Sequence, residues 1–181
     1  YVFNFFKNNF KVPKFRALIV SPFNSRDAFL KKIKREICNA KKGRTASLCI
    51  KLNNLADEEL ISALYKASRA GVRIRLIVRG MMSLLAGVPG LSENIEAISI
   101  VGRYLEHSRF LIFENGGEPE VYISSSDWMG RNLDERVEVS VPVKDARLKK
   151  ELISYFETEW SDHYKARLVS TERMNQFREG G

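Results

Sequence analysis

The sequence predicts an α/β protein with a mixed β-sheet that is flanked by helices. An apolar segment at 46–51, an amphipathic segment that starts at Asp57 and a second apolar segment at 72–78 follow one another. This order is typical of a strand–helix–strand unit with parallel strands. Shorter apolar runs separated by turn residues follow after residue 97, which indicates antiparallel strands. Hydrophobic residues make up 44% and charged residues 29% of the 181 residues, as in ordinary globular proteins.

The first part of the chain alternates strands and helices. We predict a short apolar strand at 15–20, then a turn, then a helix at 27–40 in which Phe29 and Ile33 recur at helical spacing. Gly43 is expected to end this helix, because glycine tolerates the left-handed backbone conformation of a C-terminal cap.

The second helix has matching signals at both ends. It starts at Asp57 with further acidic residues in its first turn, and Arg69 lies in its last turn before Gly71. Acidic residues at the start and basic residues at the end of a helix complement its dipole, and glycine favours the C-cap.

The second half of the chain is richer in strands. A Gly/Pro loop at 81–95 is long for a connector and indicates a functional loop. Asn115 begins a hairpin turn of the type N-G-G. The further elements predicted here are strands at 97–101, 109–113, 121–124 and 136–143, and a third helix at 144–160.

We predict one domain at 15–165, a connector from a preceding domain at 1–14, and a flexible basic tail at 166–181. The chain begins at Tyr1 rather than at methionine, so we expect it to be part of a longer protein. No apolar run approaches the roughly 18 residues of a membrane span. We expect a cytoplasmic location, with peripheral attachment at the inner face of the membrane as the alternative.

The two cysteines do not form a disulfide framework. Cys38 and Cys49 both lie in apolar patterns, and we expect both to be reduced residues of the core. This cysteine content is typical of a protein from a reducing compartment.

The net charge of +8 and the isoelectric point near 9.6 favour polyanionic partners. Nucleic acid, a phosphate polymer, nucleotides and an anionic membrane surface all fit, and charge alone does not choose among them. Much of the charge lies at 31–35 and 41–42, where we expect the solvated face of a helix.

A histidine and several arginines lie close together between residues 102 and 139. His107, one of only two histidines, forms an H-x-R motif with Arg109 and follows Arg103. Residues two apart on a strand point to the same face, so we expect His107 and Arg109 to meet one ligand. Imidazole can donate a proton to a phosphate or attack phosphorus, and a lone histidine can also be purely structural. Glu114 follows His107 by seven residues.

Two further groups suit phosphate binding. Ser125 lies in a run of three serines and an aspartate at 124–127, and Arg131 follows on the same loop. Serine hydroxyls and turn N–H groups can bind phosphate oxygens, although a simple capped turn explains the run as well. Arg79 directly follows the strand 72–78, at the strand end where α/β sheets bind ligands, although a surface arginine at this place is also common. The sequence contains neither a P-loop motif nor a Cys/His cluster for zinc.

Longer motifs resemble a known family. The spacing H-x-R-x-x-x-x-E from His107 is similar to the H-x-K-x-x-x-x-D motif of the phospholipase D superfamily, with two departures. More specific are LIVRGMMSLLAGVPGLSENIEAISIVGRYLEHSRFLIFENGG and VYISSSDWMGRNLDERVEV, which strongly resemble the C-terminal region of the polyphosphate kinase 1 family. KLNNLADEELISALYKASRAGVRIRLIVRG fits the same region, and the resemblance covers about 14–167.

The resemblance implies an enzyme that reversibly transfers the terminal phosphate of ATP to inorganic polyphosphate. Family members have an N-terminal domain, a head domain and two C-terminal domains related to phospholipase D. The phosphorylated histidine belongs to the first C-terminal domain, whereas this chain resembles the second. The implied fold is a phospholipase D-like mixed sheet flanked by helices.

The resemblance also implies roles for residues of this chain. His107 is expected to line the nucleotide site and to assist catalysis as an acid, and Arg79 to bind ATP phosphates. Arg103, Arg109, Ser125 and Arg131 are further candidate phosphate ligands. Mg²⁺ is expected with ATP, held by ligands outside this chain. The expected partners are ATP or ADP, polyphosphate, the preceding domains and further copies in a homo-oligomer, without nucleic acid.

Two other functions remain open from the residues alone. A phospholipase D-type phosphodiesterase or nuclease could act as a dimer with one histidine from each chain, although the Arg and Glu departures disfavour it. A non-catalytic basic module could bind polyanions or RNA, although exposed aromatic stacking platforms are not evident.

Overall fold

One eight-stranded mixed sheet organises the molecule, which is described here by a computed structural model at residues 15–170 and 176–177. Three α-helices pack on the sheet, and one π-helical turn spans Arg131–Glu135. The helices are α1 (Ser25–Lys41), α2 (Glu58–Arg69) and α3 (Ala146–Trp160). The strands are β1 (Ile19–Ser21), β2 (Ser47–Leu52), β3 (Arg73–Val78), β4 (Ile95–Ile100), β5 (Phe110–Phe113), β6 (Glu120–Ser124), β7 (Glu138–Val143) and β8 (Ala166–Leu168).

The sheet combines a parallel centre with antiparallel flanks in the order β1-β7-β6-β5-β2-β3-β4-β8. Strands β2, β3 and β4 are parallel, and every other neighbouring pair is antiparallel. The predicted strand–helix–strand unit is confirmed, since β2 pairs with β3 from Ser47 opposite Arg73 to Leu52 opposite Val78.

Successive side chains of the central strands point to opposite faces of the sheet and so divide the core into two layers. In β2, Leu48 and Ile50 belong to the layer formed with α1 and α2, where Phe29 and Leu60 are fully buried. The next residue of the strand, Cys49, faces the opposite layer, which α3 covers. The predicted mixed sheet flanked by helices is therefore confirmed.

The helix ends follow the sequence signals closely. The side chain of Asp57 accepts a hydrogen bond from the backbone N–H of Leu60 at 3.0 Å and so caps α2. Gly43 and Gly71 follow their helices with φ angles of +68° and +87°, the left-handed conformation that was expected of them.

Two sequence predictions about the ends of the chain have different outcomes. The connector at 1–14 lies outside the described residues. The flexible tail predicted from residue 166 is wrong at its start, because Ala166–Leu168 forms strand β8 and pairs with β4 at the edge of the sheet. The short strand was missed because three residues carry too little periodicity to be recognised.

The prediction for the two cysteines is half correct. Cys49 is buried in the sheet, but Cys38 is exposed on α1. The apolar neighbours of Cys38 in sequence face the core, whereas Cys38 itself falls on the outer side of the helix. Within the described part of the chain, no helix is both long and apolar enough to cross a membrane.

The packing of α3 on the sheet yields a stability prediction. Phe156 is fully buried, and its ring contacts Phe110 edge-on and stacks on Trp160 at centroid distances of 6.1 and 5.9 Å. We expect Phe156→Ala to lower the free energy of unfolding by about 3–5 kcal/mol, measured by urea denaturation, because it leaves a cavity in this layer. Leu148→Ala on the same helix, at a 44% exposed side chain, is the control and should cost about 0.5 kcal/mol or less. Equal losses in the two variants would contradict this packing role.

Candidate functional site

Four chain segments meet at one edge of the sheet, which we call the carboxyl edge: residues 53–54, 79–80, 101–109 and 124–127. Strands β2, β3, β4 and β6 end at this edge, and β5 begins there because it runs antiparallel to both of its neighbours. Ligands of open α/β sheets bind outside the carboxyl ends of the strands. The sequence-predicted site residues therefore lie at the place where a ligand is expected.

The carboxylate of Asp127 connects three of these segments. It accepts hydrogen bonds from Nε of Arg109 at 2.8 Å, from the backbone N–H of Asn53 at 2.9 Å and from Nδ2 of Asn54 at 2.9 Å. Asp127 is only 4% exposed. Burial alone would raise the pKa of Asp127, but these three donors outweigh it, so the pKa lies below its usual value. Asp127 therefore stays charged and holds the segments together.

Gly80 allows the third strand-end segment to approach this junction. Its backbone N–H donates to the carbonyl of Asn53 at 2.7 Å. A Cβ atom at this position would lie 2.6 Å from Oδ1 of Asn54 and 2.8 Å from the carbonyl oxygen of Asn53. Only glycine fits between the two turns, which explains why a glycine follows Arg79 here.

His107 and Arg109 come together as predicted, although not on a strand. Strand β5 starts only at Phe110, so both residues lie in the loop that precedes it. Nη2 of Arg109 lies 3.2 Å from Nε2 of His107. Because a guanidinium only donates, this contact is a hydrogen bond in the tautomer that leaves Nε2 unprotonated. The His107 side chain is exposed at the surface of the carboxyl edge.

Arg79 follows β3 directly and is half-buried. Its Nε atom is buried, and no hydrogen-bond acceptor for it exists among the described residues. A buried cationic donor without a partner is unfavourable. This geometry therefore suits an arginine whose buried donor is satisfied when an anion binds.

The remaining predicted phosphate ligands have different surroundings. Ser125 donates its hydroxyl to the carboxylate of Glu138 and accepts from the backbone N–H of Val139, so its donor is already used. Arg103 and Arg131 are exposed. Arg103 lies on the same loop as His107, whereas Arg131 begins the π-helical turn.

Glu114 does not join His107. It follows the end of β5, and its backbone N–H donates to the carbonyl of Ser47, where β2 begins. The two residues therefore lie at opposite edges of the sheet. Their spacing in sequence is the length of a buried strand, and it does not create a shared site.

A buried lysine anchors the loop that carries His107. Lys51 is 4% exposed, and its Nζ lies 2.5 Å from the carboxylate of Glu159 on α3 and 3.1 Å from that of Glu106. Glu106 also accepts hydrogen bonds from the hydroxyl and the backbone N–H of Ser108. Both immediate neighbours of His107 thus belong to this network, which fixes the loop on each side of the imidazole.

Sequence reasoning missed the anchoring roles of Lys51 and Asp127. The signal for Lys51 was present, since a lysine within the otherwise apolar strand SLCIKL has to find buried anions. For Asp127 no signal existed, because its partners come from turns that lie far apart in sequence.

The carboxyl edge carries side chains that can donate hydrogen bonds to an anion. In the described part of the chain, no group of three or more His, Cys, Asp or Glu side chains could hold a metal. Asp127, the buried carboxylate of this edge, is already engaged by three donors. Arg79, Arg109 and His107 provide donors for an anion such as a phosphate.

Sequence comparison relates the chain to polyphosphate kinases. The family model "Polyphosphate kinase C-terminal domain 2" matches residues 18–180. The polyphosphate kinase of Vibrio vulnificus (strain YJ016) is 52% identical over 180 residues, which are 99% of this chain and 26% of that protein. The polyphosphate kinase of Escherichia coli (strain K12) is 48% identical over 176 residues, with 97% and 26% covered. The chain thus spans about a quarter of the length of these curated relatives.

Structure comparison gives a consistent result. The crystal structure of polyphosphate kinase from Porphyromonas gingivalis superposes with a TM-score of 0.92 at 39% identity, over 99% of this chain and 28% of that chain. Nuc from Salmonella typhimurium, a phospholipase D family member, superposes with a TM-score of 0.62 at 14% identity, over 85% and 97%. The second likeness shows the fold alone, and it confirms the phospholipase D-like sheet.

The anchoring network yields a pH prediction. Hydrogen bonds from Ser108, and the contact with Lys51, lower the pKa of Glu106 to about 2. In the unfolded chain, a glutamate has a pKa of roughly 4.3. Because the pKa of Glu106 is lower in the folded protein, its ionised carboxylate stabilises the fold above that value, and this stabilisation is lost as the pH falls towards 2. We expect Glu106→Gln to lower the free energy of unfolding at roughly pH 6 and to show a shallower acid dependence than the unsubstituted protein.

Urea denaturation at a series of pH values measures this difference. Glu118→Gln is the control, because Glu118 is exposed and its carboxylate has no partner among the described residues. Its acid dependence should equal that of the unsubstituted protein. An unchanged slope in Glu106→Gln would show that Glu106 does not anchor the loop.

Proposed function

Because the chain belongs to the polyphosphate kinase C-terminal domain 2 family, we propose that it forms one wall of the active site of an ATP:polyphosphate phosphotransferase. The observation that carries this proposal is the carboxyl edge, where the unpartnered Arg79 and the His107–Arg109 pair offer donors to an anion. The family match favours this function over the phosphodiesterase and the RNA-binding module that the residues alone left open.

The proposed reaction moves one phosphoryl group in two steps. The bond between the terminal phosphorus of ATP and its bridging oxygen breaks, ADP leaves, and a phosphorus–nitrogen bond forms on a histidine outside this chain. The terminal oxygen of a polyphosphate chain then attacks that phosphorus, and the histidine is released. Both steps are reversible, because each exchanges one high-energy phosphate bond for another.

Arg79 binds the phosphates of ATP in this proposal. A guanidinium provides a planar fork of donors that matches phosphate oxygens, and its charge offsets the negative charge that collects on the leaving ADP. The unused Nε of Arg79 supports this role, because a phosphate would supply the acceptor that the described residues do not provide.

His107 lines the same site and assists as a general acid. In the present geometry its Nε2 faces Nη2 of Arg109 at 3.2 Å. A phosphate oxygen that enters between the two side chains would accept hydrogen bonds from both of them. A protonated His107 could then transfer its proton to the oxygen of the leaving phosphate.

Secondary roles in phosphate binding are assigned to Arg103, Arg109, Ser125 and Arg131. Arg103 and Arg131 are exposed and free to approach a polyanion, whereas Arg109 divides its donors between Asp127 and His107. The hydroxyl of Ser125 must leave Glu138 before it can donate to a phosphate. We therefore expect Ser125 to contribute less than the arginines.

Mg²⁺ accompanies ATP in this proposal, but the described residues of the carboxyl edge do not fit it as a set of ligands. The described part of the carboxyl edge offers guanidinium and imidazole groups, whereas Mg²⁺ prefers oxygen ligands. We place its protein ligands in other domains of the whole enzyme, together with the phosphorylated histidine. We also propose that the whole enzyme is a cytoplasmic homo-oligomer, with peripheral attachment to the inner face of the membrane as the alternative.

Substitutions in the full-length protein that contains this chain test the proposal. We expect His107→Ala to abolish polyphosphate synthesis from labelled ATP, because the acid is lost. His163→Ala is the control, since His163 is the other histidine of the chain, is exposed and takes no part in the contacts described for His107. Near-normal synthesis by His107→Ala would remove the catalytic role of His107.

Arg79→Gln separates binding from chemistry in the same protein. Loss of a desolvated arginine–phosphate contact should weaken ATP binding by about 2 kcal/mol or more, which is a rise of at least roughly thirtyfold in the dissociation constant. Equilibrium binding of a non-hydrolysable ATP analogue measures this change. An unchanged affinity would contradict the phosphate contact.

A further inference from the structure

A pocket beside Arg79 opens at the carboxyl ends of β3 and β4. Its volume is about 450 Å³, and its polar side chains are Arg79, Ser99 and Arg167. Arg167 lies on β8, directly opposite Ser99 in the register of β4 and β8. The missed strand β8 therefore brings a second guanidinium to the same concave surface as Arg79.

The two arginines of this pocket differ from the arginines that hold the fold together through ion pairs. Arg26, Arg35 and Arg75 each bind a carboxylate at 2.8 Å or less. By contrast, the side chains of Arg79 and Arg167 lie near no carboxylate in the part of the chain that the structure describes. Arg167 instead places its guanidinium carbon 4.7 Å from the centre of the Phe177 ring. The pocket thus carries two positive charges that lack a counter-ion among the described residues.

A third cation continues the positive surface. Nζ of Lys165 would lie 3.4 Å from a Cβ atom on Gly102, which places the ammonium group over the chain just after Val101. Val101 is itself part of the pocket lining. The charges of Arg79, Arg167 and Lys165 therefore follow one another around the carboxyl ends of the strands, which suits an anion longer than a single phosphate.

The rest of the pocket does not suit a nucleotide base. Apart from the three polar side chains, its lining consists of the aliphatic and glycine residues Val78, Gly80, Met82, Val101 and Val169. None of these lining residues is aromatic, and none carries an amide or a carboxylate that could hydrogen-bond a base edge or a ribose. The lining residues can hold a chain of phosphates, but they provide no aromatic, amide or carboxylate side chain for a purine ring or a ribose.

We propose that this pocket binds successive phosphoryl groups of inorganic polyphosphate, with Arg167 and Ser99 as ligands that the nucleotide does not use. Arg79 lies at the boundary between this pocket and the nucleotide site, and it contacts phosphates of both substrates. The guanidinium of Arg167 donates to the oxygens of a chain phosphate, and the hydroxyl of Ser99 donates to the same or the next group. This inference rests on the proposed function, because it assigns a place to the second substrate of that reaction.

Arg167→Gln in the full-length protein that contains this chain tests the inference. In the direction that forms ATP, we expect the KM for polyphosphate to rise about tenfold, while the KM for ADP changes less than about twofold. Arg167→Lys should give an intermediate value, because it keeps the charge but loses the planar fork. Arg73→Gln is the control, since Arg73 lies at the opposite end of β3 with a 67% exposed side chain and should leave both constants unchanged.

Direct binding of radiolabelled polyphosphate to the same variants makes the test independent of activity. Weaker binding by folded Arg167→Gln, with thermal unfolding like that of the Arg73→Gln control, supports the subsite. Unchanged polyphosphate binding overturns it, and so does a rise in the KM for ADP alone or in both constants together, because the pocket then belongs to the nucleotide. The unsubstituted enzyme could bind polyphosphate more tightly than Arg167→Gln and still transfer no phosphate. That result would refute the proposed function and leave the subsite standing.

Discussion

The buried carboxylate of Asp127 is the interaction on which the site depends. It joins a turn after β2 to the start of β5 and to its own loop after β6, through Asn53, Asn54 and Arg109. The turn after β2 lies more than fifty residues before the other two segments, so local structure cannot place it beside them. An ionised group in a buried place is tolerated only when its hydrogen bonds are satisfied, and here they are satisfied by the residues that shape the site. The position of His107 follows from this constraint, because Arg109 connects it to Asp127.

The positive charge of the chain is divided between structure and binding. Arg26, Arg35 and Arg75 are paired with carboxylates. Arg26 joins α1 to the π-helical turn, whereas Arg35 and Arg75 each join a helix to a strand of the sheet. Arg79 and Arg167 have no such partner among the described residues and lie at one pocket. A net charge of +8 on its own would fit many polyanions. Because these two arginines line one concave pocket, the carboxyl edge is the candidate binding surface.

The fold could be predicted from the sequence because its signals are local. Periodic apolar residues, the N-cap of Asp57 and the glycines after α1 and α2 each act within a few residues. The site could be predicted only in part. His107, Arg109 and Arg79 were found because their own surroundings in sequence are distinctive, and the structure brings all three to the carboxyl edge.

What the sequence could not show depends on contacts between distant segments. Glu114 is separated from His107 because the strand β5 lies between them, and the spacing alone does not show that a strand begins and ends there. The pairing of β8 with β4 brings Arg167 beside Ser99 across nearly seventy residues. The buried partners of Lys51 come from α3 and from the loop of His107, so its role appears only when the sheet and helix are assembled.

A double-mutant cycle on Asp127 and Arg109 measures most directly whether this ion pair holds the carboxyl edge together. The free energy of unfolding is measured for the unsubstituted protein, for Asp127→Asn, for Arg109→Gln and for the double variant. Because each single substitution leaves a buried partner unsatisfied, the two effects should couple by about 1–3 kcal/mol. Additive effects, with a coupling below about 0.3 kcal/mol, would show that the edge does not depend on this pair.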